Sequence, residues 1–537
     1  LNRKLEEGWF ERLLGQIFMD NPHNCQVLLL PSATLANEKR DAETERLRAV
    51  KKSWGVEDIS GLQKRQAALI AWQSAADTPE ALAALPALQL SDIAVQPERI
   101  PLEERTLAGR CLLRHDISTG RISYVNLYFD VSDFSQEMLP DVSFLCRLLG
   151  NMDTEIHGNL QLQRLCRLNI GRINFSVEAY GGVNAPENCR TFLCVSFSAM
   201  DINLESAANL IAEIITGSKF DDQCMIHELL RQAIVWMEQN IIDSGSGYAM
   251  TRIAAGHSAQ GVVRECTGGF TYFQRLKTLE KNFQRYAAEF SRELAALSKE
   301  IFAKNRLTIS ITGTNDNAEA ILENAVICVL PVSRQKETVC SIRPWSKRRE
   351  GIVIPADVSF TAMGGNLLQY GGAYNGSLQV LSRIVSLSYL WNVIRVQGGA
   401  YGTGLSLSNS GNACFYSYRD PTAARSLNAY RQTEGFIKQF CGTKPDLTRF
   451  IVGTVAEMDP LMLPGRQGKA SDRWYLTGIE YADQCAERRE ILSTTPERLA
   501  AFAQLMYEVS ENGSICVIGS KRQIESCGEE IDSICIL

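Results

Sequence analysis

The histidines are the residues of this sequence that could do metal chemistry, and their spacing decides whether they do. Two histidines four residues apart share one helix face and supply two zinc ligands, and a neighbouring glutamate can polarise the attacking water. The chain has five histidines, and none has another four residues away: His23, His115, His157, His227 and His257. The pair His227-Glu228 comes nearest to the spacing of a zinc site, but position 231, where the second histidine would have to be, is Arg231. We therefore expect no metal site in this chain, and a polar surface or capping role for each histidine.

Two other groups that could do chemistry are the sixteen cysteines and the segment GRQGKASDRW at 465–474. Several cysteines, such as Cys146, Cys194 and Cys328, lie inside apolar runs, where thiols usually behave as small buried hydrophobes. The sequence has no Cys-x-x-Cys, and Cys189 and Cys194 are spaced wrongly for a zinc knuckle. Residues 465–474 follow no strand pattern and lack the Walker spacing. These patterns favour a reducing, intracellular compartment and argue against a redox or phosphate-loop site.

A third group lies in the run VIRVQGGAYG, where a helical pattern passes into a strand pattern. Its members are Arg395, Gly398, Gly399, Ala400 and Tyr401. Arginine presents fixed charged donors, tyrosine offers a phenolic donor, and two glycines let the backbone turn sharply between them. A structural interpretation is also open, because arginine complements the dipole of a helix C-terminus and tyrosine suits the start of a strand.

The composition is that of an ordinary globular protein of several domains. The chain has 537 residues, of which 45% are hydrophobic and 22% charged, and its formal net charge is −6. A length of this order predicts two to four domains. The net negative charge gives no indication of the basic surface that binds nucleic acid. The apolar run NAVICVLPV at 324–332 is too short for a membrane span and is predicted to be a core strand.

The elements that must position these residues form an internal repeat. Residues 11–32, 293–314 and 498–520 each combine an amphipathic helical pattern, a polar turn with Asn and a buried-strand run. Two full copies fit between these endings and the opening copy is only a tail, so the chain resembles the later part of something longer. Within each copy, several predicted strands follow one another along the chain, and helices come after them. The order predicts an α+β fold of two repeated domains, with mainly antiparallel sheets packed by helices.

The predicted domains follow from these patterns. Residues 1–33 are the tail of a preceding domain, with a helix and a strand, and 34–97 form a helical hairpin linker and an extended crossing. Residues 98–338 are the first α+β repeat and 339–537 the second. The matched runs EAYGG and GAYGT make Tyr180 the counterpart of Tyr401, but an asparagine six residues earlier replaces the arginine, so Tyr180 is expected to be structural.

The segment LWNVIRVQGGAYGTG, followed by SGNACFYSYRDP, closely resembles the C-terminal half of the pitrilysin/insulinase-type zinc metallopeptidases, and within them the presequence protease subfamily. The resemblance covers nearly the whole chain. It implies the mitochondrial processing peptidase-like fold, with four related α+β domains in two halves that close around a peptide. This chain would supply the end of the second domain, the hairpin, and the third and fourth domains. The zinc, bound by His-x-x-Glu-His, would belong to the missing N-terminal half.

The resemblance also implies what this half does. Arg395 and Tyr401 match an arginine and a tyrosine that reach across the chamber to bind substrate and support the oxyanion, with Gly398, Gly399 and Ala400 beside the peptide. The expected partners are the catalytic half of the same polypeptide and unfolded peptides, with no nucleic acid and no membrane. The expected location is the cytoplasm in a bacterium or protozoan, or the matrix of a mitochondrion or plastid. The alternative is a non-catalytic scaffold or peptide-binding subunit of the same fold.

Overall fold

The computed structural model describes residues 2–32, 34–75, 77–86, 88–332 and 340–537. The chain divides into two compact units, residues 1–86 and 87–537. The first unit is helical. Its helices are α1 (Asn2–Glu6), α2 (Trp9–Leu14, continuing as a π-helical turn over Gly15–Met19), α3 (Leu35–Ser53), α4 (Val56–Ser74) and α5 (Pro79–Ala83). Helices α3 and α4 lie where the sequence predicts the helical hairpin, and they break at Trp54 and Gly55.

The strand predicted within residues 1–33 is not formed in this chain, and the assignment of these residues to a preceding domain stays a prediction. Residues 26–32 form no strand, and the apolar side chains there are exposed, Leu29 to 88%. A strand exists only where a second strand pairs with it, and no described residue of the chain pairs with this run. The related runs at 307–312 and 514–519 are strands because both of their edges are paired.

The described residues of the first repeat form six strands and seven helices. The strands are β1 (Glu103–Leu107), β2 (Arg110–His115), β3 (Ile122–Asp130), β4 (Arg172–Gly182), β5 (Ala185–Met200) and β6 (Leu307–Thr312). The helices are α6 (Leu139–Leu148), α7 (Asn159–Asn169), α8 (Leu204–Gly217), α9 (Gln223–Ala255), α10 (Ala259–Gly268), α11 (Phe270–Ile301) and α12 (Ala318–Ala325). The sheet order is β1-β2-β6-β3-β5-β4, and every pair is antiparallel except β2 with β6.

The second repeat has the same central order. Its strands are β7 (Arg349–Val353), β8 (Ser359–Asn366), β9 (Gly402–Leu407), β10 (Asn412–Asp420), β11 (Ser514–Gly519) and β12 (Ser533–Ile536). Its helices are α13 (Ser377–Ile384, continuing as a π-helix over Val385–Val396), α14 (Ala423–Arg431), α15 (Thr433–Gly442), α16 (Thr448–Met458), α17 (Pro464–Thr477), α18 (Tyr481–Leu492), α19 (Pro496–Ala501), α20 (Ala503–Asn512) and α21 (Lys521–Glu525). The sheet order is β12-β7-β11-β8-β10-β9.

The predicted fold class, α+β with two repeated and mainly antiparallel sheets, is therefore confirmed. Both sheets are mixed, because β6 and β11 each have one parallel neighbour. The sixth strand differs between the copies: β1 precedes the first repeat's core strands in the chain, whereas β12 follows those of the second. The domain boundaries at residues 98 and 338 stay predictions, since both repeats lie in one compact unit.

Several predicted elements change in detail. Residues 204–241 belong to two helices, α8 and α9, because Asp222 caps a new helix by accepting a bond from the Met225 N–H. The run GIVIPADVSFTAMGG is two strands, broken at Pro355, which has no N–H to donate. Residues 324–332 are not a core strand, since they end α12 and continue as a 3₁₀ turn over Ile327–Val329. Periodicity alone does not separate a short buried strand from a buried helix end.

The two repeats interlock through helices that lie on each other's sheets. Helix α9 of the first repeat packs on β8 of the second, where a Cβ on Gly245 would lie 2.4 Å from the Phe360 ring. Helix α17 of the second repeat packs on the first sheet, where a Cβ on Gly468 would lie 1.9 Å from the hydroxyl of Thr312. The segment GRQGKASDRW thus carries glycines for close helix–sheet packing. None of the described helices is long and apolar enough to cross a membrane.

Buried polar groups hold this interlock together. Asp472 of α17 is fully buried and accepts bonds from Tyr128 Oη (2.9 Å) and Asn126 Nδ2 (3.1 Å) of β3. Its other oxygen lies 2.8 Å from His115 Nε2. On the opposite side, Arg252 of α9 pairs with Glu350 of β7 at 2.7 Å.

Candidate functional site

Arg395 lies in the last turn of the long helix of the second repeat. The helix begins as α13 at Ser377 and widens into the π-helical stretch from Val385 to Val396. Its apolar face, which includes Val385, Leu390 and Ile394, is buried in the second core. That packing fixes the helix and leaves the Arg395 side chain partly exposed. π-Helical segments are rare and often occur at functional sites.

The glycines shape the turn that follows. The Gly399 N–H donates to the Arg395 carbonyl (2.9 Å), and the Ala400 N–H donates to the Ile394 carbonyl (3.1 Å). Gly399 has φ +83, and a Cβ on Gly398 would lie 2.4 Å from the Ile394 carbonyl oxygen. Only glycine fits either position without strain. The Ala400 side chain is buried in the second core and anchors the turn there.

Tyr401 stands at the start of β9 with its side chain exposed. The Tyr401 N–H donates to the Tyr418 carbonyl (3.0 Å), and the two rings meet edge to face at 5.8 Å. The side chain of Tyr401 is 68% exposed, which is unusual for a large aromatic residue. No described residue forms a hydrogen bond with its hydroxyl group, which is therefore available to a ligand.

Arg395 is held by aromatic rings and not by a carboxylate. Its Cζ lies 3.9 Å from the centroid of the Trp391 ring and 5.8 Å from that of Tyr401. Within the described ranges no acidic side chain pairs with its guanidinium. A cation on a ring face keeps all its donors free, so Arg395 can still bind a carbonyl or carboxylate. The sequence analysis missed Trp391, although an aromatic residue four positions before Arg395 shares its helix face.

The first repeat also reaches this site, which no sequence pattern indicates. The Tyr418 hydroxyl donates to the carbonyl of Asp243 (2.9 Å), and Arg419 lies 3.7 Å from the Asp243 carboxylate. Asp243 precedes Ser244, the residue of α9 whose backbone is not helical. The kink in α9 therefore braces the strand on which the Tyr401 ring rests.

The structural counterpart of Tyr401 in the first repeat is Gly171, so the predicted match to Tyr180 is wrong. Gly171 donates to the carbonyl of Ser198 just before β4, as Tyr401 donates to Tyr418 just before β9. Tyr180 lies at the far end of β4 and is buried against Tyr128 and Phe192, which agrees with the structural role expected of it. The motif match fails because the two similar sequence runs lie at opposite ends of equivalent strands.

The histidines do not assemble a metal site. Within the described part of the chain, no group of three or more His, Cys, Asp or Glu side chains could hold a metal ion. His227 stacks on the Phe283 ring at 4.5 Å. The expectation of surface or capping roles is wrong for two histidines. His115 is buried between Asp472 and the Pro101 carbonyl, and His257 is buried between Gln369 and Ser514.

The cysteines carry no reactive thiol at this site. All sixteen are free. Burial raises the pKa of Cys194 and of Cys414 to about 12, which keeps these thiols protonated.

Comparison with known proteins shows that the chain is similar to domains of peptidases. Residues 29–279 match the family of domains associated with peptidases of family M16, subfamily C, and residues 349–521 match the "PreP C-terminal domain". The chain is 29% identical over 525 residues to Protein HypA of Clostridium perfringens, covering 97% of this chain and 53% of that protein. It is 28% identical over 537 residues to presequence protease 1, chloroplastic/mitochondrial, of Arabidopsis thaliana, covering 98% of this chain and 49% of that protein. The chain thus spans about half the length of the curated relatives it matches.

Solved structures share the fold at low sequence identity. A conserved protein from Enterococcus faecalis superposes with a TM-score of 0.58 at 15% identity, covering 78% of this chain and 99% of that one. The peptidase M16 inactive domain from Pseudomonas fluorescens superposes with a TM-score of 0.53 at 13% identity, covering 79% and 98%. At these identities the likeness concerns the fold alone.

Proposed function

Since this chain belongs to the presequence protease subfamily of the pitrilysin-type peptidases and corresponds to the C-terminal half of such a protein, we propose that it supplies the substrate-binding wall and transition-state clamp of a zinc endopeptidase. The substrates would be unfolded peptides enclosed in a chamber between two halves. Arg395 and Tyr401 would carry the clamp. The partner would be the N-terminal catalytic half of the same polypeptide.

One observation carries this proposal: two strong donors stand side by side with no protein acceptor. The Arg395 guanidinium lies 5.8 Å from the Tyr401 ring, and neither group is bonded to a carboxylate or carbonyl of the described residues. Both side chains are at least partly exposed, so their donors can reach a ligand. Unpaired donors fixed by packing are what an enzyme needs at the point where negative charge develops.

Each residue has a distinct task in this proposal. When water attacks a peptide carbonyl, its oxygen gains negative charge, and the phenolic O–H of Tyr401 donates to that oxygen. The Arg395 guanidinium donates to a neighbouring carbonyl and so fixes the register of the peptide. The turn through Gly398, Gly399 and Ala400 holds the pair at a constant separation. Substrate contact by this turn would come from its backbone, because the side chain of Ala400 is buried.

Zinc does not fit the residues of this chain. His227, the histidine with an adjacent glutamate, is committed to the Phe283 ring and lacks a second histidine one turn away. The metal would be held by the other half, and no step assigned to this chain runs through it. We expect metal analysis after dialysis to find no stoichiometric zinc in this chain. The sixteen free thiols, six of them buried, suit a reducing compartment, such as cytoplasm or an organelle matrix.

Complementation tests this division of labour. The chain alone should leave a quenched fluorescent peptide intact, because it provides one wall of the site. Addition of the separately expressed N-terminal half should restore cleavage only at high concentration, since the two halves lose the effective concentration that a linker provides. A matched mixture containing the Arg395→Ala, Tyr401→Phe double variant should not cleave the peptide. Robust cleavage by the purified chain alone would overturn the proposal.

A further inference from the structure

The two repeats end their sheets in different ways at equivalent edges. Strand β4 is the last strand of the first sheet, and β9 is the last of the second. The outer backbone groups of such a strand need partners, and an edge without them is a template for another strand. The two edges therefore show which repeat could accept an added strand.

The edge of β9 is closed by side chains from its own repeat. The Leu405 N–H donates to Ser386 Oγ (2.9 Å), and the Leu405 carbonyl accepts from Ser382. The Leu407 carbonyl accepts from Gln379 (3.4 Å). These three polar residues lie on one face of the helix that runs from Ser377 to Val396. The second repeat thus satisfies its outer edge internally.

The edge of β4 is closed at one end only. The Ala179 carbonyl accepts from Gln260 Nε2 (2.8 Å), which shows that Ala179 directs its backbone groups away from β5. Alternate residues of an antiparallel strand face the same way, so the backbone groups of Val177 and Phe175 also point outward. Among the described residues no donor or acceptor meets them.

A groove with strongly basic walls runs beside this open edge. It consists of three adjoining cavities of about 550, 530 and 450 Å³. The first two share Phe175, and the last two share Val177, so the groove follows β4 along its length. Its lining includes six cations: Arg147, Arg167, Arg264, Arg466, Lys469 and Arg473.

Among the described residues, only one carboxylate lines the groove together with these six cations. Glu178 is that residue, and it is already paired with Lys469 at 2.8 Å. Arg264 and Arg473 line the same cavity. Burial, and after it the charge of Arg473, lowers the pKa of Arg264. Positive charge gathered in a concave site without counter-charges favours an anionic ligand.

We propose that the open edge of β4 and the basic groove beside it bind an extended peptide that carries acidic side chains. The backbone of the peptide would pair with Phe175 and Val177 as a seventh strand, and its acidic side chains would meet Arg264, Arg473 and their neighbours. The proposal does not rest on the roles of Arg395 and Tyr401. It gives the first repeat a peptide site of its own.

The charge of the peptide is tested with two fluorescent probes. Each probe is a synthetic peptide of about ten residues, long enough to lie along β4 as a strand. One alternates Val with Glu and the other alternates Val with Lys. Fluorescence anisotropy with the full chain should show at least tenfold tighter binding of the Glu peptide, and added salt should weaken it. Equal affinity of the two probes would overturn the proposal.

Pairing with the strand edge is tested by altering the peptide and leaving the protein intact. Two versions of the Glu peptide carry N-methyl groups, one on the Val amides and the other on the Glu amides. In a strand these two sets point to opposite sides. One version should lose at least tenfold in affinity, and the other should bind as before. Unchanged binding of both, or equal loss in both, would reduce the site to a basic patch and contradict edge pairing.

Protein variants locate the site. Arg264→Gln and Arg473→Gln should each weaken the Glu peptide severalfold, and the double variant should weaken it further. Arg449→Gln is the matched control, because Arg449 is exposed and lines none of the three cavities. Loss of binding in Arg449→Gln but not in Arg264→Gln would place the peptide elsewhere.

Discussion

The Arg395 guanidinium lies 3.9 Å from the centre of the Trp391 ring, one helical turn earlier on the same helix face. The ring holds the cation in place without using any of its N–H donors. A carboxylate in that position would neutralise the arginine and occupy the donors that a peptide carbonyl requires. Support by an aromatic ring is therefore what a ligand-binding arginine needs, whereas an arginine that stabilises the fold would be expected to pair with a carboxylate.

Trp391 should act as a positioning residue for Arg395. A partly exposed cation–π contact is worth about 0.5–1 kcal/mol, so Trp391→Leu should lower kcat/KM roughly two- to fivefold in the full-length enzyme. The loss should vanish when Arg395 is already alanine, because the ring then has nothing to hold. Trp72→Leu, at an exposed tryptophan of the first unit, is the control. Additive losses in the Trp391→Leu, Arg395→Ala double variant would contradict this role.

Asp472 should be essential to the packing of one repeat on the other. Asp472→Ala removes the acceptor of Tyr128 and Asn126 and leaves His115 facing an empty space in a fully buried cluster. Breaking a buried pair of this kind costs about 3–5 kcal/mol. Urea denaturation should report a loss of that size, against little change for Asp357→Ala at an exposed position. Similar stability of the two variants would show that α17 does not hold the interlock.

His257 should make folding stability depend on pH. Burial, chiefly, and the charge of Lys347 lower the pKa of His257 below its ordinary value of 6.5. The unfolded chain therefore binds a proton more readily than the folded one, so stability is full above the unfolded pKa and falls as pH drops toward the folded pKa. Denaturation midpoints measured between about pH 7 and pH 5 should fall less in His257→Gln than in the unaltered chain.

The control for His257 is His23→Gln, since His23 lies exposed in the first unit. That variant should keep the full pH dependence. Identical curves for His257→Gln and the unaltered chain would mean that protonation of His257 is not linked to unfolding.

Much of the fold follows from patterns along the chain, and the exceptions have physical causes. Strands β3 and β5 and helix α11 each bury a face that their own sequence defines, so the pattern along the chain is enough to indicate them. Residues 26–32 have the same apolar pattern and form no strand, since pairing depends on a partner elsewhere in the chain. Strands β1 and β12 are short edge strands that owe their structure to the strands beside them, so no pattern in their own residues reveals them.

The candidate site is predictable only where its residues are close in sequence. Arg395 and Tyr401 come together because a helix end and a two-glycine turn separate them by one short segment. Tyr418 and Asp243 support the same site from another strand and another repeat, so no local pattern could reveal them. His115 and its partner Asp472 are far apart in the chain, which is why the sequence alone suggests a surface histidine where the structure has a buried pair.

The proposed clamp is tested most directly by the kinetics of Tyr401→Phe in the full-length enzyme with a quenched fluorescent peptide. The change removes one oxygen and keeps the ring that packs on Tyr418. If the hydroxyl supports the oxyanion, kcat should fall by about 10²–10³ while KM changes little, because the donor acts mainly in the transition state. Tyr507→Phe, at a partly exposed tyrosine of α20, should leave both constants unchanged. A Tyr401→Phe enzyme with unaltered kcat would contradict the account.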